Sequence, residues 1–246
     1  MHTIDINCDM GEGIGNDELI MPLISSANIA CGYHAGDEKT IRQTIEMAIK
    51  NNVAIGAHPS FLDKENFGRT EKYLSNKEVY DLITAQVHLL ENLLNEFGAS
   101  LHHVKPHGAL YNMAAKNSEL AAVICTAIND FNENLIVYGL SGSHLINEAT
   151  KIGLKTASEV FADRTYLDDG SLTPRSQANA LIEDPDKAVQ QALQMIKERK
   201  VVSLNGKDVL VTADTICIHG DGKNAFEFAK AIHDAFEKEN IQIRTC

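Results

Sequence analysis

Asp5, Asn7 and Asp9 alternate along the first apolar run of the chain, and period-two spacing puts all three side chains on one face of a β-strand. A buried, unpaired carboxylate is costly, so that face is expected to turn toward a polar site rather than toward packed helices. Glu12 follows in a tight turn, Gly11-Glu12-Gly13. Further apolar runs end in the same way: at Asn28 to His34, at His58, at Lys105-Pro106-His107, at Glu159 to Arg164, and at His219-Gly220-Asp221. Carboxylate, imidazole and ammonium groups are the means of acid/base chemistry. Their recurrence after apolar runs describes parallel strands whose C-terminal ends converge on one site.

Each cluster has its own chemistry. If neighbouring strand ends meet, Asp9, His34 and His58 make a set for a divalent metal or for proton transfer, because imidazole and carboxylate suit such ions. Their spacing is not a compact metal motif. Lys105 at a strand end can hold an anion or act as a base. Gly108 lets a ligand approach the backbone, and Tyr111 and Asn112 offer hydrogen bonds. Arg164 and Arg175 can grip a carboxylate or phosphate with two hydrogen bonds each. His219 beside Asp221 reads as an oriented acid/base pair. The plainer alternatives are a solvated first strand, an ordinary strand-to-helix loop and a Glu–Arg surface pair. The chain carries no GxxxxGK[ST] phosphate loop, no GxSxG elbow and no recognisable cysteine nucleophile. What remains is acid/base chemistry on a small molecule, with a metal optional.

The elements that would position these groups alternate. Strands are expected at 3–8, 26–31, 53–57, 102–105, 135–138, 154–161 and 215–218, with 241–243 able to close the series. Helices are expected at 37–51, 76–97, 118–131, 141–151, 184–199 and 223–240. Asp37 can cap the first, with Ile41, Ile45, Ala48 and Ile49 on one face. Ser75 and Glu78 form a capping box for the second, whose stripe runs Val79, Leu82, Ile83, Val87, Leu90, Leu94 and Phe97. Seven or eight such units predict an α/β fold with a parallel barrel. Asn205-Gly206 predicts a two-residue β-hairpin over 201–211. Residues 163–183 form a long polar loop of the kind that serves as a lid.

A net charge of −12 excludes the basic patch that nucleic acid or an anionic membrane requires. The five cysteines are odd in number and include no CxxC pair, which suits a reducing compartment. No leader peptide or membrane span is recognisable, so a cytoplasmic protein is expected.

Together, Asp5 to Glu12, Ser26 to Asp37, Gly56 to Ser60, Phe67-Gly68-Arg69, Val104 to Tyr111 and His219-Gly220-Asp221 resemble the LamB/YcsF family over nearly the whole chain. The resemblance implies one domain, 1–246, folded as a seven-stranded (incomplete) β/α barrel of the glycoside hydrolase/deacetylase type. It also implies ATP-dependent opening of the lactam 5-oxoproline to glutamate, in a complex with 5-oxoprolinase subunits B and C, which are expected to handle the ATP. On that basis Asp9 or His58 is the expected base, and Lys105 and His107 hold developing negative charge. Arg164 or Arg175 holds the substrate carboxylate, while Asn7, Glu12, Asn28, His34, Tyr111, His219 and Asp221 contact the substrate. Many relatives carry a longer stretch after the Gly-Glu-Gly turn. Here Gly13-Ile14-Gly15-Asn16-Asp17 is short and the chain has no Trp, so a more open rim near strand one is expected. Two other functions fit the same residues: a stand-alone metal-dependent deacetylase or amidohydrolase, and a non-catalytic lactam- or carbohydrate-binding accessory protein. Aromatics at 6% disfavour the sugar-binding version.

Overall fold

The computed structural model describes residues 2–218 and 225–246. Its strands are β1 (Thr3–Met10), β2 (Ser26–Ala30), β3 (Ala54–His58), β4 (His103–Val104), β5 (Ile136–Leu140), β6 (Lys155–Phe161), β7 (Lys200–Val202), β8 (Asp208–Leu210), β9 (Thr215–Ile218) and β10 (Gln242–Ile243). Seven of them, β1 to β6 and β9, form a closed parallel barrel. Closure falls between β1 and β9, with Asp5 opposite Thr215 and Cys8 opposite Ile218. The last strand does not close the series. β10 pairs with Thr3 and Ile4, on the edge of β1 that β2 uses further along: the Ile4 carbonyl accepts from Arg244 and the Ile6 carbonyl from Ser25.

Helices α1 (Asp17–Ile20), α2 (Glu38–Lys50), α3 (Asn76–Glu96), α4 (Gly108–Lys116), α5 (Ser118–Phe131), α6 (His144–Lys151), α7 (Pro185–Glu198) and α8 (Ala225–Lys238) accompany the barrel. Local chemistry sets their starts. Asp37 accepts from the Thr40 N–H, and Ser75 and Glu78 make the expected capping box. Of the expected α3 stripe, Val79, Ile83, Val87, Leu90 and Leu94 are buried, while Leu82 and Phe97 are half-buried. Among the described residues no helix is long and apolar enough to cross a membrane.

The alternation of β1 sorts its side chains. Ile4, Ile6, Cys8 and Met10 belong to the apolar core. Asp5 and Asn7 are equally buried, but they bond across the barrel interior. Asp5 takes hydroxyl hydrogens from Ser25 at 2.6 Å, Ser26 at 2.8 Å and Thr215 at 2.6 Å. Burial still outweighs these bonds and raises the Asp5 pKa. Thr215 accepts from the Asn7 amide at 2.7 Å, and Asn7 accepts from Asn28 at 2.8 Å. His103 faces Asn28 at 2.8 Å and stacks on Tyr138. The polar column therefore runs from the barrel floor to its mouth with its groups paired.

Gly56 on β3 is needed for this packing, because a Cβ there would lie 2.1 Å from Nε2 of the buried His103 ring. Gly56→Ala is expected to destabilise the chain by about 1–3 kcal/mol or more. A denaturation midpoint equal to that of the parent would contradict it.

The predicted hairpin forms, but not with the predicted turn. β7 and β8 pair antiparallel with Val202 opposite Asp208. Ser203 O accepts from the Gly206 N–H, and the Ser203 N–H donates to Lys207 O. Of the two central residues only Gly206 has positive φ. This is a three-residue loop closed by a glycine bulge, not the two-residue type I′ turn that needs positive φ twice. The loop at 163–183 is ordered by antiparallel bridges between Arg164 and Leu181 and between Tyr166 and Leu172.

Candidate active site

Strand ends deliver the predicted groups to one mouth. Lys105, just past β4, is almost wholly buried, as is Glu159 on β6. The Lys105 ammonium lies 2.7 Å from Glu159 Oε1 and 3.0 Å from Asp9 Oδ1. It also donates to Asn7 Oδ1 at 3.0 Å and to Cys217 Sγ at 3.2 Å. Burial alone would lower its pKa, but Asp9, Cys217 and Glu159 together outweigh burial and hold the amine charged. Lys105 is therefore a fixed cation rather than a base.

That cation orients Asp9. The Oδ1 atom of Asp9 accepts from Lys105 and, at 2.8 Å, from the Asn28 amide. Its Oδ2 atom faces His58 Nε2 at 3.3 Å. Glu159 is gripped from its other side by the Tyr111 hydroxyl at 2.6 Å. Burial and the Glu159 charge push the Tyr111 pKa up and keep the phenol a donor.

Three histidines stand over these carboxylates. His58 Nδ1 lies 2.7 Å from Lys105 O, and His107 Nε2 lies 2.9 Å from Phe67 O. A carbonyl only accepts, so these nitrogens carry the hydrogens. The remaining nitrogens, His58 Nε2 and His107 Nδ1, face each other at 2.9 Å. His34 stacks on His107 with centroids 3.9 Å apart, and its Nε2 lies 3.3 Å from Glu12 Oε1. Burial, then His58, lowers the His34 pKa to about 3, which keeps that ring neutral at neutral pH. Glu12, His34, His58 and His107 each bring a ligand atom within 4.8 Å of the others, so this cluster can hold a metal. Gly68 makes room for it: at φ +66°, a Cβ there would lie 2.3 Å from Ser60 Oγ and 2.9 Å from the His107 ring.

A cavity of about 450 Å³ opens above these groups, with Asp9, His58, Lys105 and His107 among its lining residues. Its outer wall includes Arg69, Arg164 and Arg175. Arg164 is buried and partly engaged: it donates to Thr173 O at 2.6 Å and Ala180 O at 3.3 Å, and so straps the 163–183 loop over the mouth. Burial, then the like charge of Arg175, lowers the Arg164 pKa. Arg164→Met is expected to loosen that loop. The check is faster proteolytic cleavage within 163–183 at nearly unchanged global melting; unchanged protection would contradict it.

Asn7, Asn28, His34 and Tyr111 thus join the network, although Asn7, Asn28 and His34 support it from beneath rather than lining the cavity. His219 and Asp221 lie outside the described residues. Four contributors were given no role from the sequence: His103, Cys217, Arg69, which was noted only within Phe67-Gly68-Arg69, and Glu159, which was noted only as the start of a strand-end cluster. The signal for Glu159 was an acidic inward position on an apolar strand.

Comparison with known proteins then bears on the whole chain. The LamB/YcsF family pattern matches residues 4–246. The chain belongs to the LamB/YcsF family. A relative from Brevibacillus brevis, named as the A subunit of 5-oxoprolinase, is 50% identical, over 99% of this chain and 98% of its own length. The crystal structure of a lactam utilization protein from Thermus thermophilus is 42% identical and superposes with a TM-score of 0.93, covering 99% of this chain and 100% of that one. A peptidoglycan deacetylase from Bacillus subtilis, 11% identical at a TM-score of 0.51 over 99% of this chain and 87% of that one, shares the fold alone. The family's barrel, expected from the sequence, is the barrel observed.

Proposed function

We propose that this chain is the A subunit of an ATP-dependent 5-oxoprolinase, a hydrolase that opens the lactam 5-oxo-L-proline to L-glutamate with subunits B and C. The observation that carries the reading is Asp9, held by Lys105 and Asn28 at the floor of a cavity large enough for a five-membered lactam bearing an added phosphoryl group. Near identity of length with relatives named for this subunit supports it.

A γ-lactam is a stable amide that water attacks slowly. Phosphorylating its oxygen makes the ring carbon an electrophilic imidate. After water adds there the C–N bond breaks, the nitrogen takes up a proton, and the acyl phosphate formed gives its phosphate to a second water. The absence of a phosphate loop fits a division of labour in which the partner subunits handle ATP and phosphorylate the lactam oxygen. This chain then holds the activated species. Asp9 takes the proton from the attacking water. The Lys105 charge favours negative charge developing on the oxygen above it; its hydrogens are engaged with protein groups, so it acts through its field. His107 turns its N–H to Phe67 O, so it borders the reacting atoms with a lone pair. Arg175, or the free side of Arg164, holds the substrate carboxylate. Free cysteines, four of them buried, suit a cytoplasmic enzyme.

Complementation tests the reading. In a bacterium that retains subunits B and C but has lost their third component, this chain restores growth on 5-oxoproline as nitrogen source. Expression of folded protein without growth would contradict it.

A further inference from the structure

We propose that His58, His107 and Glu12 form a binding site for one first-row divalent cation of the zinc type. The hydrogens of the two imidazoles dictate it. With one N–H on each ring, both are already given to backbone carbonyls: His58 Nδ1 to Lys105 O and His107 Nε2 to Phe67 O. Two lone pairs therefore face each other across 2.9 Å, in rings 1% and 7% exposed. Two acceptors that close repel unless something positive sits where they converge. A carbonyl on the far nitrogen is also the usual support of a metal-ligating histidine.

The distances suit an ion. Two nitrogens each about 2.1 Å from one tetrahedral ion lie about 3.4 Å apart, so the rings need to part by only about half an ångström to admit it. The two rings are 79° from coplanar, so their in-plane lone pairs can meet in front of both. Glu12 Oε1 lies 3.8 Å from His107 Nδ1, and Asp9 Oδ2 borders the same space 3.3 Å from His58 Nε2. His34 is not placed to ligate together with His107. Its ring lies 8° from parallel and 3.9 Å above the His107 ring, so the two lone pairs run side by side. Its Nε2 instead faces Glu12 Oε1 at 3.3 Å and orients that carboxylate. Of the Asp9, His34 and His58 set expected from neighbouring strand ends, this proposal keeps His58 as ligand and adds His107 and Glu12. Two carboxylates, Asp9 and Glu12, border the imidazole pair directly. Such an ion, when bound, polarises an oxygen placed beside Asp9. The proposal does not depend on the oxoprolinase reading, because its test needs no substrate.

The test uses the full chain without an affinity tag, stripped with a chelator and titrated with Zn²⁺ and, separately, Co²⁺. Expected are one equivalent bound per chain, a visible Co²⁺ absorption band and a rise in melting temperature. His58→Gln and His107→Gln should each weaken Zn²⁺ binding by about 100-fold or more, and His34→Gln by about 10–100-fold. His233→Ala, in a separate His-Asp-Glu group at the surface of α8 where His233 is half-buried, should change nothing. Glu12→Gln, isosteric and on a turn, serves if the histidine variants do not fold, and should also weaken binding. A chain that takes up no Zn²⁺ would overturn the proposal and leave a proton shared between His58 and His107. Binding unaffected by His107→Gln or Glu12→Gln, or lost with His233→Ala, would overturn it equally.

Discussion

Lys105→Met eliminates glutamate formation in the assembled enzyme and lowers the stability of this chain by about 3–5 kcal/mol, the cost of removing one partner from a buried ion pair. Lys105 and Glu159 have side chains only 3% and 0% exposed, so the loss leaves Glu159 and Asp9 without the ammonium between them. In a chain of this size the melting temperature falls by roughly 10 °C. The double variant Lys105→Met/Glu159→Gln removes the stranded carboxylate and recovers part of that stability, but no turnover. Thermal melting and glutamate release check both statements. A single variant that melts and turns over like the parent would show that the buried ammonium neither holds the barrel mouth together nor serves the reaction.

Asp9→Asn has the opposite profile. The amide oxygen can still accept from Lys105 and Asn28, and the new NH₂ can donate to the lone pair on His58 Nε2, so the fold persists with little change in melting. Turnover falls by about 10²–10⁴-fold, as for loss of a positioned general base, while the KM for 5-oxoproline moves little. Near-normal glutamate formation would remove Asp9 from the mechanism and shift the role to His58.

These contrasting effects bear on what was legible in the sequence. The inward face of β1 was readable because period-two alternation and the cost of burying charge have one cheap solution. Helix α5 was readable at both ends, 118–131, because Asn117 caps it and its apolar period is regular. Helix α4 was not, because Pro106 and Gly108 punctuate its start and no side chain caps it. Glu159 could be seen as an acid on an apolar strand, but its meaning depends on Lys105, 54 positions away in the chain and 2.7 Å away in space. Likewise Arg164 was visible as a cation at a strand end, while its use on the carbonyls of Thr173 and Ala180 depends on how the loop folds back. Residue types at strand ends thus marked the site. The pairing of those residues across the barrel, and the tautomers that their carbonyl partners impose, required the closed structure.

The most direct measurement is coupled product release. Purified chain is mixed with 5-oxoproline and ATP alone, then with subunits B and C, and glutamate and ADP are quantified together, with B and C without this chain as the control. The account predicts glutamate and ADP in equal amounts only when all three subunits are present. Glutamate from this chain alone without ATP, or none from the full mixture of folded proteins, would contradict it.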